Sequence, residues 1–156
     1  MDLDRLKQDV GQTWKWLAEG WRSVSDKAAN ALTYFTPSKE DGETGIRWGL
    51  LAADVREAND SIRVELEVPG LEKEDIDIDV NGRQLVVTGR KSYESERTEG
   101  AMVISERAFG HFQRVIPLPD EVTTDDAKAK YRNGVLDITL QKATPPSARK
   151  IAVTAG

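Results

Sequence analysis

Apolar side chains follow two different periods along the chain. Over residues 2–35 they recur every three or four positions, which is the spacing of one face of a helix. From Leu50 onward they alternate with polar residues, which is the period of strands buried on one side. The pattern predicts an amphipathic helical arm, in one helix or two, followed by a domain of strands. The helical stripe comprises Leu3, Leu6, Val10, Trp14, Leu17, Trp21, Val24, Ala28, Ala31 and Phe35.

Turn-forming residues separate the alternating segments. Asn81-Gly82 and Asn133-Gly134 each lie between two such segments, and both dipeptides favour tight β-hairpins because Asn and Gly accept positive φ. Short strands at close, regular spacing are typical of an antiparallel sandwich. We therefore expect an all-β fold, an immunoglobulin-like antiparallel β-sandwich with an N-terminal amphipathic helical arm and a short C-terminal extension.

The predicted chain has three parts. Residues 1–49 form the arm and a linker rich in turn-forming and polar residues, residues 50–142 form the sandwich, and residues 143–156 form the extension. Ile151 and Val153 lie near the end of the extension, after Pro145-Pro146 has broken any continuation of the last strand. We expect these two apolar side chains to dock on another chain.

The composition excludes several classes of partner. The chain has 156 residues, 38% of them hydrophobic, which suits one domain with flanking segments. Its net charge is -5, so the chain lacks the excess of basic residues that binding of nucleic acid requires, and we expect no nucleic-acid partner. It has no cysteine, and it shows neither a signal-peptide pattern nor an apolar run long enough to span a membrane. We expect a cytoplasmic location.

The sequence offers little for catalysis. The only histidine is His111, and no nucleophile elbow or phosphate-binding glycine loop is present. His111 is expected to be a packed or surface strand residue, with a Ser-His-Asp site as the alternative. Asp75, Asp77 and Asp79 alternate with apolar residues, which favours the solvent face of a strand over a calcium loop. We expect no enzymatic activity, no cofactor and no metal.

A set of short motifs occurs in a fixed order within the predicted sandwich. They are Pro69-Gly70-Leu71, Lys73 to Ile76, Val86 to Gly89, Glu106-Arg107, Phe109-Gly110, Phe112, Arg114, Leu118-Pro119 and Asn133 to Leu136. Together they resemble the alpha-crystallin domain of small heat shock proteins of the bacterial and plant type, over about residues 50–142. A variable apolar arm before the domain and an Ile-X-Val anchor after it also fit that family.

The resemblance implies an ATP-independent chaperone, a holdase that binds partly unfolded proteins and works as a dynamic homo-oligomer built from dimers. It makes Ile151 and Val153 the oligomer anchor. It places the groove for this anchor between two strands, although Ala127 and Ala129 would equally suit close sheet packing. The residues of the implied groove are Ile76, Ile78, Val80, Ala127, Ala129 and Tyr131.

A charged loop over residues 93–100 precedes a short apolar strand predicted at residues 101–104. One interpretation is an ordinary long hairpin. The resemblance implies instead that each subunit adds this strand to the sheet edge of its partner. The implied dimer interface contains Met102, Val103, Ile104, Glu106, Arg107 and Arg114, with the two arginines as candidates for interface or core ion pairs.

The tryptophan-rich arm has three interpretations. It could pack on its own domain, lie on a membrane surface, or form oligomer contacts and a client-binding surface. Residues 1–36 carry five basic and five acidic side chains, so the helix lacks the basic face that an anionic membrane attracts. A sandwich of this size closes its own core, which favours oligomer and client contacts. The predicted client-binding residues are Trp14, Trp16, Leu17, Trp21, Tyr34 and Phe35.

Two other classes of function stay open. A sandwich without chaperone activity, such as a structural or co-chaperone-like adaptor, is the first, but that class lacks the Ile-X-Val tail. A stress protein associated with a membrane surface is the second.

Overall fold

A computed structural model describes residues 31–37, 47–93, 100–143 and 152–155 of the protein. Within these ranges the chain forms strands and a single turn of 3-10 helix at Lys73–Asp75. The strands are β1 (Leu32–Thr36), β2 (Arg47–Leu50), β3 (Ala53–Glu57), β4 (Ser61–Glu67), β5 (Ile76–Asn81), β6 (Gln84–Lys91), β7 (Gly110–Pro117), β8 (Val122–Arg132) and β9 (Val135–Lys142).

The strands form two antiparallel sheets. One has five strands in the order β2-β1-β7-β6-β5, and the other has four in the order β3-β4-β9-β8. This arrangement confirms the predicted all-β sandwich. Most of the predicted helical arm lies outside the described residues.

The core lies between the inner faces of the two sheets. Alternate residues of β4 and β9 are buried, and Val64 faces Ile138 across the ladder that joins these strands. On the five-stranded sheet, Leu85 and Val87 of β6 are fully buried. Alternation therefore identifies the inner face correctly on these strands, because successive side chains of a strand point to opposite faces of the sheet.

Both predicted hairpins are confirmed. Gly82 has φ +59° in the turn between β5 and β6. Asn133 and Gly134 have φ +54° and +78° between β8 and β9. Asn is among the few non-glycine residues that accept this conformation readily.

The prediction was wrong at the end of the helical stripe. Leu32–Thr36 forms strand β1, which pairs with β7 so that Phe35 lies opposite Phe112. Gly110, with φ +111°, permits this pairing, because a side chain there would collide with the carbonyl of Thr36. Aromatic and β-branched residues favour strands, and a helical spacing that ends on such residues cannot decide between the two structures.

The predicted linker also contains a strand. Residues 47–50 form β2, which pairs with β1 as a further strand of the five-stranded sheet. The described sheet thus begins at Leu32, before the boundary predicted at residue 50.

Candidate assembly and client-binding surfaces

The predicted anchor groove lies where the sandwich is open. Only two residues separate β2 from β3, so these edge strands lie at one end of the sandwich, and β5 and β8 are the edges at the other end. Ile76, Ile78 and Val80 of β5 are half-buried and pack against the margin of the core. The structure therefore brings the two predicted walls of the groove to the same end of the molecule.

Strand β8 keeps this end open. Ala129 is in register with the buried Ile138 and so points toward the inner side of the sheet, yet Ala127 and Ala129 are both exposed. Tyr131, half-buried, donates a hydrogen bond from its hydroxyl to the carbonyl of Val68 at 3.0 Å. The exposure of the two alanines disfavours simple close sheet packing and leaves space for inserted side chains.

The predicted anchor is described only in part. Ile151 lies outside the described residues, and the side chain of Val153 is 96% exposed. Val153 is thus not buried against the sandwich of its own chain.

The segment after the charged loop exposes consecutive apolar side chains. Met102, Val103 and Ile104 are 66%, 89% and 70% exposed. Residues 101–104 do not form the predicted strand in the single chain. A strand needs a neighbouring edge to satisfy its backbone hydrogen bonds, and residues 101–104 pair with none of the described strands.

An aromatic and cationic cluster holds the end of this loop. The ring of Phe109 meets the edge of Tyr93 at 4.8 Å between centroids, and the guanidinium of Arg107 lies 4.8 Å from the Phe109 centroid. The ammonium of Lys91 lies 5.9 Å from the same centroid. Burial, with the charge of Arg107 as a second cause, lowers the pKa of Lys91. The cluster anchors the chain on either side of the exposed segment, while Glu106 and Arg107 stay exposed.

Arg114 lies in the core of the single chain. Its guanidinium donates from Nε to the carbonyl of Leu51 at 3.2 Å and from Nη1 to that of Val115 at 3.1 Å. Burial lowers its pKa. Both acceptors are main-chain carbonyls, so Arg114 joins β7 to the residue that leads into β3. No carboxylate of the described residues forms the predicted core ion pair with it.

The predicted client-binding residues are separated. Trp14, Trp16, Leu17 and Trp21 lie outside the described residues. Tyr34 is exposed, whereas Phe35 is 2% exposed and packs on Phe112 with centroids 5.3 Å apart. The prediction for Phe35 was wrong, because strand geometry directs neighbouring residues to opposite faces. Phe35 belongs to the core.

Sequence reasoning missed an apolar surface on the outer side of the five-stranded sheet. Trp48 meets the ring of Tyr34 edge-on at 5.8 Å, and Leu50 lies opposite Leu32. These residues and Val115 of β7 are all exposed. We call this set, Leu32, Tyr34, Trp48, Leu50 and Val115, the outer apolar patch. The only sequence signal was the alternation in β2, which is four residues long and too short to distinguish from a linker.

The candidate chemical groups are at the surface. His111 is exposed on β7 beside an open cleft of about 550 Å³, which Asp75 and Asp77 also line. Asp77 and Asp79 are exposed on β5, but Asp75 belongs to the 3-10 turn, where its carboxylate accepts the backbone N–H of Glu72 at 3.1 Å. In the described ranges, no group of three or more His, Asp or Glu side chains is arranged to hold a metal ion. No helix there is long and apolar enough to cross a membrane.

Comparison with known proteins identifies the family. Residues 54–154 match the sequence profile of the Hsp20/alpha crystallin family. The chain is 34% identical over 151 residues to the 17.3 kDa class II heat shock protein of Solanum peruvianum, covering 96% of this chain and 94% of that one. It is 36% identical over 100 residues to small heat shock protein C2 of Rickettsia felis, covering 64% of this chain and 65% of that one, just under two thirds of the relative's length.

Solved structures agree with this result. Heat shock protein 16.0 from Schizosaccharomyces pombe superposes with a TM-score of 0.55 at 36% identity, covering 67% of this chain and 97% of that one. A small heat shock protein from Xylella fastidiosa, described as having a distinct high order structure, gives a TM-score of 0.52 at 26% identity, covering 69% and 98%. Small heat shock proteins are chaperones and not enzymes. The profile match, the relatives and the sandwich together show that this chain belongs to the Hsp20/alpha crystallin family, which supports a chaperone-type role.

Proposed function

We propose that the protein is an ATP-independent holdase of the cytoplasm, which binds partly unfolded proteins and works as a dynamic oligomer built from dimers. The observation that carries the proposal is the run of large exposed apolar side chains at Met102, Val103 and Ile104. Exposed apolar patches on a soluble protein mark surfaces that bind other proteins. Here they support both self-assembly and capture of unfolded chains.

The dimer forms by exchange of residues 101–107. Among the described strands β3 pairs with β4 on one side, so its other edge is the one that an incoming strand could pair with. Arg114 supports this edge through Leu51. Arg47 donates to the carbonyl of Ser105 at 3.1 Å, so in the single chain Ser105 lies beside β2, whose neighbour along the chain is β3. Met102 to Ile104, with Glu106 and Arg107, form the interface.

Dimers assemble further through the tail. Ile151 and Val153 insert into the groove between β5 and β8 of another subunit. Burying one Ile and one Val contributes roughly 3 to 6 kcal/mol before costs, and ordering the preceding tail residues costs about 1 to 2 kcal/mol each. One tail therefore binds weakly, but many tails in a closed assembly act together through effective concentration.

Two exposed valines offer a matched test of this assembly. Val103→Glu places a charge in the exchanged strand and should yield monomers, whereas Val153→Glu should yield dimers that assemble no further. Both side chains are about nine-tenths exposed, so both variants should keep the circular dichroism spectrum of the parent. Light scattering coupled to size-exclusion chromatography gives the masses. Dimers from Val103→Glu, or full-sized oligomers from Val153→Glu, would contradict the respective contact.

Holdase activity is tested directly with a heat-aggregating client protein and no nucleotide. We expect an equimolar amount of subunits to suppress light scattering by the client, since heating shifts the population toward dissociated forms with exposed apolar surface. The control is an equal mass of a folded, inert protein. A folded oligomer that leaves client aggregation unchanged would contradict the holdase proposal and favour a structural or adaptor protein without chaperone activity.

A further inference from the structure

The outer face of a two-sheet sandwich is normally polar, but the five-stranded sheet exposes large apolar residues there. Leu32 is in register with Leu50, and Tyr34 with Trp48, so the exposed side chains form two cross-strand pairs side by side. Cross-strand pairs of this kind are contiguous, because opposite side chains lie about 5 Å apart. These pairs are one continuous surface.

The apolar surface continues across the sheet. Val115 of β7 is exposed on the same side and is in register with the half-buried Val86 of β6. The apolar row thus reaches four of the five strands, which is about 14 Å at the usual spacing between strands. A helix lying across the strands would follow this row, and the two pairs along β1 and β2 give the surface a width of about 7 Å, which one helix of about 10 Å diameter can cover.

The chain itself delivers an apolar segment to this surface. The carbonyl of Ala31 accepts a hydrogen bond from the backbone N–H of Leu51 at 2.9 Å, which fixes the chain beside the Leu32–Leu50 pair. Residues 1–30 continue from this point, and their apolar stripe runs from Leu3 to Ala28, four residues before Leu32. The tether keeps the stripe at high effective concentration over the outer apolar patch.

We propose that the outer apolar patch is the docking site of the same chain's N-terminal stripe, residues 3–28. The stripe has the length to cross the sheet, because 26 helical residues extend about 39 Å. It also has the matching chemistry, because Trp14 and Trp21 are among its apolar positions. The inference rests on the proposed function, because docking hides the arm and the patch together and release exposes both to a client.

A cross-linking experiment on the full chain tests the docking. The protein has no cysteine, so Val24→Cys with Leu50→Cys places one thiol on the stripe and one on the patch. A short bis-maleimide reagent should join them within one chain. The control pairs Val24→Cys with Val55→Cys, because Val55 is a partly exposed apolar residue of the four-stranded sheet. We expect at least a fivefold higher intrachain yield for the first pair.

The cross-linked products distinguish which segment occupies the outer apolar patch. Equal yields from the two pairs would overturn the proposal. Cross-links only between chains would also overturn it, since the patch would then hold another subunit's arm. Trp48→Gln added to the Val24→Cys, Leu50→Cys variant should lower the intrachain yield at least threefold, whereas Lys128→Gln should not; unchanged yields with both would refute a role for the patch.

Aggregation assays on the same samples separate this inference from the holdase proposal. Loss of docking in the Trp48→Gln variant with client protection retained would leave the holdase proposal standing and support the docking site. Intrachain cross-linking of a protein that fails to protect clients would overturn the holdase proposal alone.

Discussion

The outer faces of the two sheets differ in their chemistry. On the four-stranded sheet, Arg63 of β4 donates two hydrogen bonds to the carboxylate of Asp137 on β9, at 2.9 and 2.7 Å, and lies 3.4 Å from Glu65. Arg56 of β3 extends this network to Glu65 at 3.6 Å. On the five-stranded sheet, the corresponding positions carry the outer apolar patch. The outer face of the four-stranded sheet is polar and suited to contact with water, whereas the outer apolar patch exposes apolar area that another segment could cover.

The difference shows what strand alternation can and cannot indicate. On β4 and β9 every second residue is buried and the outward residues are mostly polar, so the pattern identifies both faces. On β1 and β2 the exposed residues are mostly apolar, and the residues between them include Thr33, Arg47 and Gly49. Alternation alone therefore does not identify the core face of these two strands.

The largest change in the free energy of unfolding is expected from a truncation on the inner face of β7, and changes on the outer faces are compared with it. Phe112→Ala should lower the free energy of unfolding by about 3 to 5 kcal/mol, because Phe112 is buried among core side chains and its removal leaves a cavity. Its neighbour Gln113 points outward and is exposed, so Gln113→Ala should change stability by less than about 0.5 kcal/mol. Urea unfolding followed by circular dichroism gives both values. Similar losses for the two variants would mean that β7 has no distinct inner face.

The fold was predictable where its determinants are local. The hairpin at Asn133-Gly134 and the buried alternation of β9 follow from neighbouring residues. Strand β1 was not predictable from its neighbours in sequence, because it pairs with β2 and with β7, and β7 lies about 75 residues further along the chain. Its residues continue a helical spacing equally well.

The candidate sites were predictable only in part, for a related reason. The groove requires two edge strands from different sheets at the same end, which the resemblance implied and local patterns did not. Residues 101–104 have the composition of a strand but form none in the single chain. Trp48 and Leu50 were missed because only their pairing with β1 places them beside Tyr34 and Leu32.

The outer apolar patch should respond more strongly to truncation than the charged face. Trp48→Ala should cost the full chain about 1 to 2 kcal/mol if a docked arm buries the indole, since buried apolar area contributes about 25 cal/mol per Å². Arg56→Ala, on the charged face, should cost less than about 0.5 kcal/mol. Thermal and urea unfolding of both variants provide the comparison. Equal, small losses would show that both outer faces are simply hydrated.

The smallest effect concerns the pair formed by Arg63 and Asp137, and its sign follows from the pKa of Asp137. The hydrogen bond from Arg63 holds the pKa of this carboxyl below its ordinary value, and the same contact raises the pKa of Arg63. A carboxyl with a lowered pKa in the folded state stabilises the fold above its unfolded pKa of about 3.9, and this contribution disappears as the pH falls through the folded value. A double-mutant cycle with Arg63→Gln and Asp137→Asn should therefore give a favourable coupling at pH 6 that fades toward pH 2. Because both side chains are partly exposed, 1 M salt should also weaken it. A coupling that persisted at pH 2 would show that the two residues interact through packing rather than charge. The outer face of the four-stranded sheet would then depend on side-chain packing, as the outer apolar patch does.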